Sequence, residues 1–556
     1  MKKVRSTEAA AIALLVGILT VACGADLSGT ATDSTPEMAV APVESVIVLA
    51  ADGSDLGRLA LEVNCGATAD MHLLRGMSLY HNMTFWEAKA EFTEATAAEP
   101  GCAIGYWGAA LSFVHPIWPD TVSDADVVVG RELLDQARAA AIRSDRADTY
   151  IHALSGYYED AESRSELERL QTLRDRWEGV HNADPSDIEA TALHALTLLG
   201  AATPDPTFPD QNRAGALLAS ILAAIPEHPG GMHYTIHAYD FAPLADRALG
   251  VANIYGKTIS GNSHALHMTS HIFTQVGMWP ESIDYNRRAA DVALAEPVAG
   301  RISHQYLHAL DYLAYAYLQQ GNDEAAMAVW GEVPLVDQAF DHAATSYAIA
   351  AIPVRYALER REWGEAAAAG ATIDASAYPA YAAITTFAAG MGAAHNGNND
   401  EARVQLARLA ELRDAARLIN EPYDWAAQVE IQRLTLQSWI EYGTGDTDAA
   451  LATAASAADL ETANPKHPVT PGMVLPAREA YADMLFALER YDEAAAQYAA
   501  TLETNPNRYR SLLGAGDSAR LAGNADAARG FYGELLEVAT GSERPELARV
   551  REHLAN

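Results

Sequence analysis

The segment GMSLYHNMTFWEAKAEFTEATAAEP, residues 76–100, places Ala88, Phe92, Ala95 and Pro100 at 12, 16, 19 and 24 residues after Gly76. Near the other end of the chain Ala482 is followed at the same intervals by Ala494, Tyr498, Thr501 and Pro506. Gly516 is followed at 12, 16 and 19 by Ala528, Tyr532 and Leu535. Small residues at these positions let two helix backbones approach, the aromatic fills the space beside them, and the proline ends the second helix. Ser270, Ser282 and Ala289, and again Ala314, Ala326 and Trp330, keep the register in between. Short breaks such as Glu99-Pro100-Gly101 and Asp184-Pro185-Ser186 separate the helical stretches.

This spacing resembles the tetratricopeptide repeat. It implies an all-α, right-handed, TPR-like α-solenoid of about ten to twelve helix pairs, whose first helices line a concave face. The expected organisation is an export signal over 1–22, a flexible tether over 23–60, N-terminal repeats over 61–225, a central histidine-rich block over 226–330 and C-terminal repeats over 331–556.

Composition limits the function. The chain has 556 residues, with 38 Lys plus Arg against 74 Asp plus Glu and a formal net charge of −36. Phosphate binding needs a concentrated basic surface, so a nucleic-acid partner is excluded, and cationic ligands, metal ions among them, are favoured.

Lys2, Lys3 and Arg5 precede a short apolar run that ends at Ala22, the anatomy of an export signal. Leu19-Thr20-Val21-Ala22-Cys23 resembles a bacterial lipobox, with Thr20 where that motif prefers leucine. The resemblance implies cleavage before Cys23, a lipid on that cysteine as membrane anchor, and a place at the outer membrane facing the periplasm. Cys65 and Cys102 then remain. In an oxidising compartment they read first as a disulfide and second as a metal-binding thiolate pair.

Histidine carries the functional signal. Of 18 histidines, eight fall between 228 and 308: His228, His233, His237, His264, His267, His271, His304 and His308. His233 to His267 and His237 to His271 are both steps of 34 residues, one repeat. Within each repeat they are spaced by three or four, on one face of a helix. Three successive first helices thus offer His233, His237 and Asp240, then His264, His267 and His271, then His304, His308 and Asp311 to a common volume.

Imidazoles four residues apart can grip one divalent cation. Seven exceed the ligand count of one zinc, so either two ions bind or some of the set orient ligands, the role expected for Asp240 and Asp311. Copper, zinc or iron would suit imidazole. Such a centre would allow metal-dependent hydrolytic or oxidoreductase chemistry. Tyr234, Tyr239, Tyr312 and Tyr315 are expected to wall the pocket. His228, beside Pro229 and Gly230 in a turn, reads as a surface or satisfied core residue, His81 and His115 as helix-end packing, and Glu479 and Asp483 as solvated carboxylates. The alternative is a metal-free envelope scaffold that binds peptides or partner proteins in its groove.

His228-Pro229-Gly230-Gly231-Met232-His233-Tyr234-Thr235-Ile236-His237-Ala238-Tyr239-Asp240 and His264-Ala265-Leu266-His267-Met268-Thr269-Ser270-His271-Ile272-Phe273 look like the signature of a group of exported bacterial tetratricopeptide-repeat proteins. Ala103-Ile104-Gly105-Tyr106-Trp107-Gly108 and Pro506-Asn507-Arg508 extend the likeness. It implies fold and export, with no reaction attached.

Overall fold

Phe92 explains why the repeat spacing builds helix pairs. It projects from the helix Phe85–Ala98 toward Gly76 on the preceding helix, Ala67–His81, and Gly108 on the following one, Ala103–Leu111. A Cβ on Gly76 would lie 2.9 Å from that ring, and one on Gly108 2.3 Å. One ring therefore occupies the gaps of two neighbouring helices, locking a pair together and to its successor. Tyr498 against Gly514 and Tyr532 against Gly516 repeat the device, at 2.4 and 2.5 Å.

The computed structural model describes residues 44–118, 122–298, 300–333, 338–369, 373–421, 423–467 and 469–555. The expected export signal, Cys23 and most of the expected tether lie outside them. Among the described residues 25 α-helices follow one another from Ala67 to Ala555. They form twelve consecutive pairs and a terminal helix, Glu546–Ala555. The architecture is a TPR-like α-solenoid. No described helix is long and apolar enough to cross a membrane.

One segment departs from the all-α expectation and shortens the tether. Val46–Leu49 and Asp55–Leu59 pair as an antiparallel hairpin with Val46 opposite Leu59. Val48, Leu56 and Leu59 are buried, which is the apolar face that fixes it. Gly57, at φ +97, passes so close to the helical body that a Cβ would lie 2.8 Å from the Glu227 carbonyl oxygen. The next amide, of Arg58, donates to that same oxygen at 3.0 Å. Each strand is only four or five residues long, too short for its alternation to stand out in the sequence. Just beyond them Cys65 and Cys102 are joined in a disulfide across 37 residues, tying the chain before the first helix to the start of the third.

The solenoid also closes on itself. Trp279 donates its indole N–H to the Asn507 carbonyl at 3.0 Å, and Asn507 donates to the Gly277 carbonyl at 3.2 Å. The connection between the helices Thr447–Ala463 and Ala477–Ala487 meets the central repeats, where Lys466 pairs with Asp240 and Val469 borders the histidines, and goes on to the helix Ala343–Glu359. There Arg355 donates to Thr470 Oγ1 at 2.8 Å and to the Met473 carbonyl at 3.1 Å. The histidine face expected to line an open groove is therefore covered.

Candidate metal centre

Three first helices of consecutive pairs, Pro229–Tyr239, Ser263–Gln275 and His304–Gln319, carry the histidines. Nearly every residue of these helices is buried, on all sides rather than along one stripe. This is why their periodicity marks a shared interior and not a solvated face.

Six of the seven histidines sort into two triads that cut across the helices. His233, His237 and His264 form one; His267, His271 and His308 form the other. In each triad one ligand atom per residue lies within 4.8 Å of the others. His304 is in neither. It accepts from Gln305 Nε2 at 3.1 Å, and its ring lies 4.3 Å from that of His342.

The hydrogen bonds around the triads fix the tautomers. His233 donates Nδ1–H to the His81 carbonyl at 2.7 Å, and His264 Nδ1 donates to Gln305 Oε1 at 3.1 Å. His267 Nδ1 donates to Asn286 Oδ1 at 2.8 Å, and His271 Nδ1 to Asp240 Oδ2 at 2.9 Å. Asn286 and Gln305 are themselves oriented, since their amide nitrogens donate to Ser282 O and His304.

A neutral imidazole that gives its proton outward from Nδ1 keeps a bare lone pair on Nε2. His237, whose Nδ1 has no partner, can give Nε2–H to His233 Nε2 at 3.1 Å, but the Nε2 atoms of His267 and His271 are both bare and lie 2.8 Å apart, and buried His264 Nε2 has no partner. Such lone pairs repel unless a cation lies among them. This is also the arrangement by which outer hydrogen bonds orient metal-ligating histidines.

Burial disfavours the imidazolium, and the neighbouring imidazoles add to it. Both effects hold His233, His237, His267 and His308 well below the ordinary value. His264 is pushed down to about 3, mainly by burial. Neutral rings that reserve an inward lone pair are what a transition ion requires.

A third buried cluster, His81, Glu189 and His228, is as closely spaced but has different tautomers. His228 Nδ1 accepts from the Gly231 amide at 3.0 Å, so its proton is on Nε2, facing Glu189 Oε1 at 3.3 Å. His81 takes a hydrogen bond from the Tyr234 hydroxyl at 2.9 Å and gives one to Glu189 at 2.8 Å. Every group there is already matched, so this is a supporting network. Both histidines are wholly buried and satisfied, His228 in the turn before its helix and His81 at the end of its own, and the His81 carbonyl positions His233.

The other expected site residues divide. Asp240 stands beside the second triad and also accepts from Lys466 Nζ at 2.8 Å. Burial alone would raise its carboxyl, but the Lys466 ammonium and His271 hold it below the usual range. Asp311 does not face the histidines: Arg355 Nε and Nη2 take its oxygens at 2.8 and 3.2 Å. Tyr312 packs on His267 and His271, both at 4.7 Å between ring centres. Tyr234 lies against His233 and His81. Tyr239 instead packs toward Gly215, and Tyr315 against Trp279, away from both triads.

Trp118, Lys466, His467 and Val469 complete the surroundings, and none lies in the repeats that carry the triads. A cavity of about 20 Å³ lies between the triads, bordered by His237, His264, His271 and His308. That is room for one water-sized species. Outside it a cleft of about 120 Å³ shares Ile117, Trp118 and His237 with the cavity.

Asn286→Leu isolates the outer hydrogen bond. It removes the acceptor of His267 Nδ1–H at nearly constant volume, and Zn²⁺ affinity is expected to fall about 10- to 100-fold. Competition against a chromogenic chelator measures it; an unchanged affinity would remove His267 from the ligand set.

No family model matches the chain, and no curated protein does. Among solved structures, a human IFIT1 dimer with PPP-AAAA is 11% identical over 85% of this chain and 91% of that one, with a TM-score of 0.36. The Cut9–Hcn1 hetero-tetramer of the APC/C gives 12% identity over 89% of this chain and 78% of that one, also at 0.36.

Proposed function

We propose that the chain is an exported helical-repeat protein, anchored to the outer membrane by lipid on Cys23, that binds one or two transition ions through its two histidine triads. The observation that carries this reading is the tautomer pattern: four of the six rings give Nδ1–H to outward oxygens and turn unprotonated Nε2 atoms toward one another. Copper, zinc and iron all accept such a donor set.

A bound ion would supply Lewis acidity or redox capacity beside the small cavity, the basis for a metal-dependent enzyme acting on a molecule that enters by the cleft. The chain's own part is to orient His271 through Asp240, to hold Lys466 at the mouth, and to keep bulk water away with Trp118 and the 464–476 crossing.

The test is metal analysis of protein purified without a nickel column. The expected result is one to two equivalents of a single transition metal, with about half lost in a His267→Ala, His271→Ala double variant. Reloading chelator-treated protein should raise its thermal midpoint. At a free ion concentration about 1,000 times Kd, the stabilisation is roughly 4 kcal/mol. Metal-free protein whose midpoint ignores Cu²⁺, Zn²⁺ and Fe²⁺ would leave only the scaffold reading.

A further inference from the structure

The cleft outside the triads has a chemistry of its own. Its volume of about 120 Å³ is close to the roughly 150 Å³ of an apolar cavity that takes one benzene ring. Ile117, Leu199, Phe208 and Phe241 give it apolar walls. Its inner end, at Trp118 and His237, is the entrance to the small cavity.

Two polar groups with unmatched nitrogen positions meet at that end. His237 turns Nε2 to His233, while its buried Nδ1 has no partner. The fixed oxygen acceptors that serve His233, His264, His267 and His271 have no counterpart here. Lys466, whose side chain is only 10% exposed, gives one hydrogen bond to Asp240. An ammonium has three donors to place.

Glu166, Asp205 and Glu421 also border the cleft. Each already accepts a hydrogen bond, from Tyr157 at 2.6 Å, Thr207 at 2.7 Å and Trp425 at 2.6 Å. Lys466 and His237 stand at the inner end; the acids keep spare lone pairs that would hold an amine instead, the outcome that overturns the proposal below.

We propose that this cleft binds a small molecule with an apolar body about the size of one aromatic ring and a terminal oxygen acceptor, carboxylate or carbonyl, held by Lys466 Nζ and His237 Nδ1 at the edge of the metal centre. This names the substrate class for the metal reading and rests on it for turnover and for the His237 contact, since Nδ1 carries the proton once Nε2 holds an ion; the Lys466 contact requires neither triad to be loaded.

The experiment is calorimetric titration of the full chain, once dialysed against EDTA and once reloaded with Zn²⁺, using phenylacetate, phenylacetamide and phenethylamine. At least one oxygen-bearing probe is expected to bind ten-fold or more tighter than the amine. Preference for phenylacetate identifies a carboxylate ligand, and preference for phenylacetamide a carbonyl one. Leu199→Trp, which fills the cleft from its wall, should abolish binding, and Lys466→Met should weaken phenylacetate at least ten-fold. The proposal is overturned if the amine binds as well as either oxygen probe, if no probe binds, or if Leu199→Trp changes nothing. Probe binding to a protein that takes up no metal removes the metal reading and leaves the cleft; metal uptake without probe binding does the reverse.

Discussion

Arg508→Ala is expected to cost about 3–5 kcal/mol of unfolding free energy, because it takes the counter-ion from buried Glu359 and leaves buried Glu479 with Arg361 alone. Arg508 is fully buried at the start of the helix Tyr509–Leu521. Its Nε and Nη2 donate to the two oxygens of Glu479 at 2.7 and 3.1 Å, and Nη2 also pairs with Glu359. Glu479 takes further hydrogen bonds from Arg361 at 2.8 Å and Ser511 at 2.6 Å.

Glu359 ends the helix Ala343–Glu359 and Glu479 lies in Ala477–Ala487, so one guanidinium joins the middle of the solenoid to its C-terminal repeats. Urea denaturation followed by circular dichroism measures the loss. Arg508→Ala with Glu479→Ala should cost less than the two single changes summed, since the pair is one unit. Equal and additive effects would mean that the two side chains act separately. The link also bears on function, because the 464–476 crossing leads into the helix that carries Glu479.

The fold was legible where a residue type is forced by contact. Gly76 and Gly516 had to be small because Phe92 and Tyr532 occupy the space of their side chains. That constraint is written in fixed spacing. The histidines were legible for a related reason: two periodicities, of the helix and of the repeat, coincide on the same residues.

What stayed hidden depends on how the superhelix closes, which no local pattern encodes. Glu479 sits in the repeat slot the histidines use, and spacing alone made it a solvated carboxylate. It is fully buried because Arg508, Arg361 and Ser511 converge on it from three places in the chain. Asp311 shares a register with the histidines, but Arg355 on the next first helix claims it. Lys466 lies 226 residues beyond Asp240 and is brought to it by a connection without repeat character. His81 reaches the site through the opposite route, as the first repeat packs on the helix Pro229–Tyr239.

Acid should destabilise the metal-free protein before it protonates any ordinary carboxylate. His194 is held down at about 4, and His395 and His467 at about 3, each chiefly by burial. The six triad histidines are depressed for the same reason. In the unfolded chain all of them titrate near 6.5. Between that value and the folded ones the unfolded state binds more protons. Stability is therefore fully present above pH 6.5 and lost as pH falls. Glu461 runs the other way: burial pushes its carboxyl up to about 7, so the folded state takes up a proton there in the same window. Glu87 and Glu296 are raised as well, but their side chains are exposed and solvent-screened. The histidines outnumber this opposition. A net uptake of only two protons on unfolding removes about 4 kcal/mol between pH 6.5 and pH 5. Urea midpoints of chelator-treated protein at pH 7, 6 and 5 read the slope directly. A flat or rising profile would mean that the central rings are charged in the folded state, and then no lone pairs would be available for a metal. Loading with Zn²⁺ at pH 7 should raise the midpoint, and that gain should persist at pH 5, because the folded rings stay neutral there and protons compete with the ion for their nitrogens only in more acid solution.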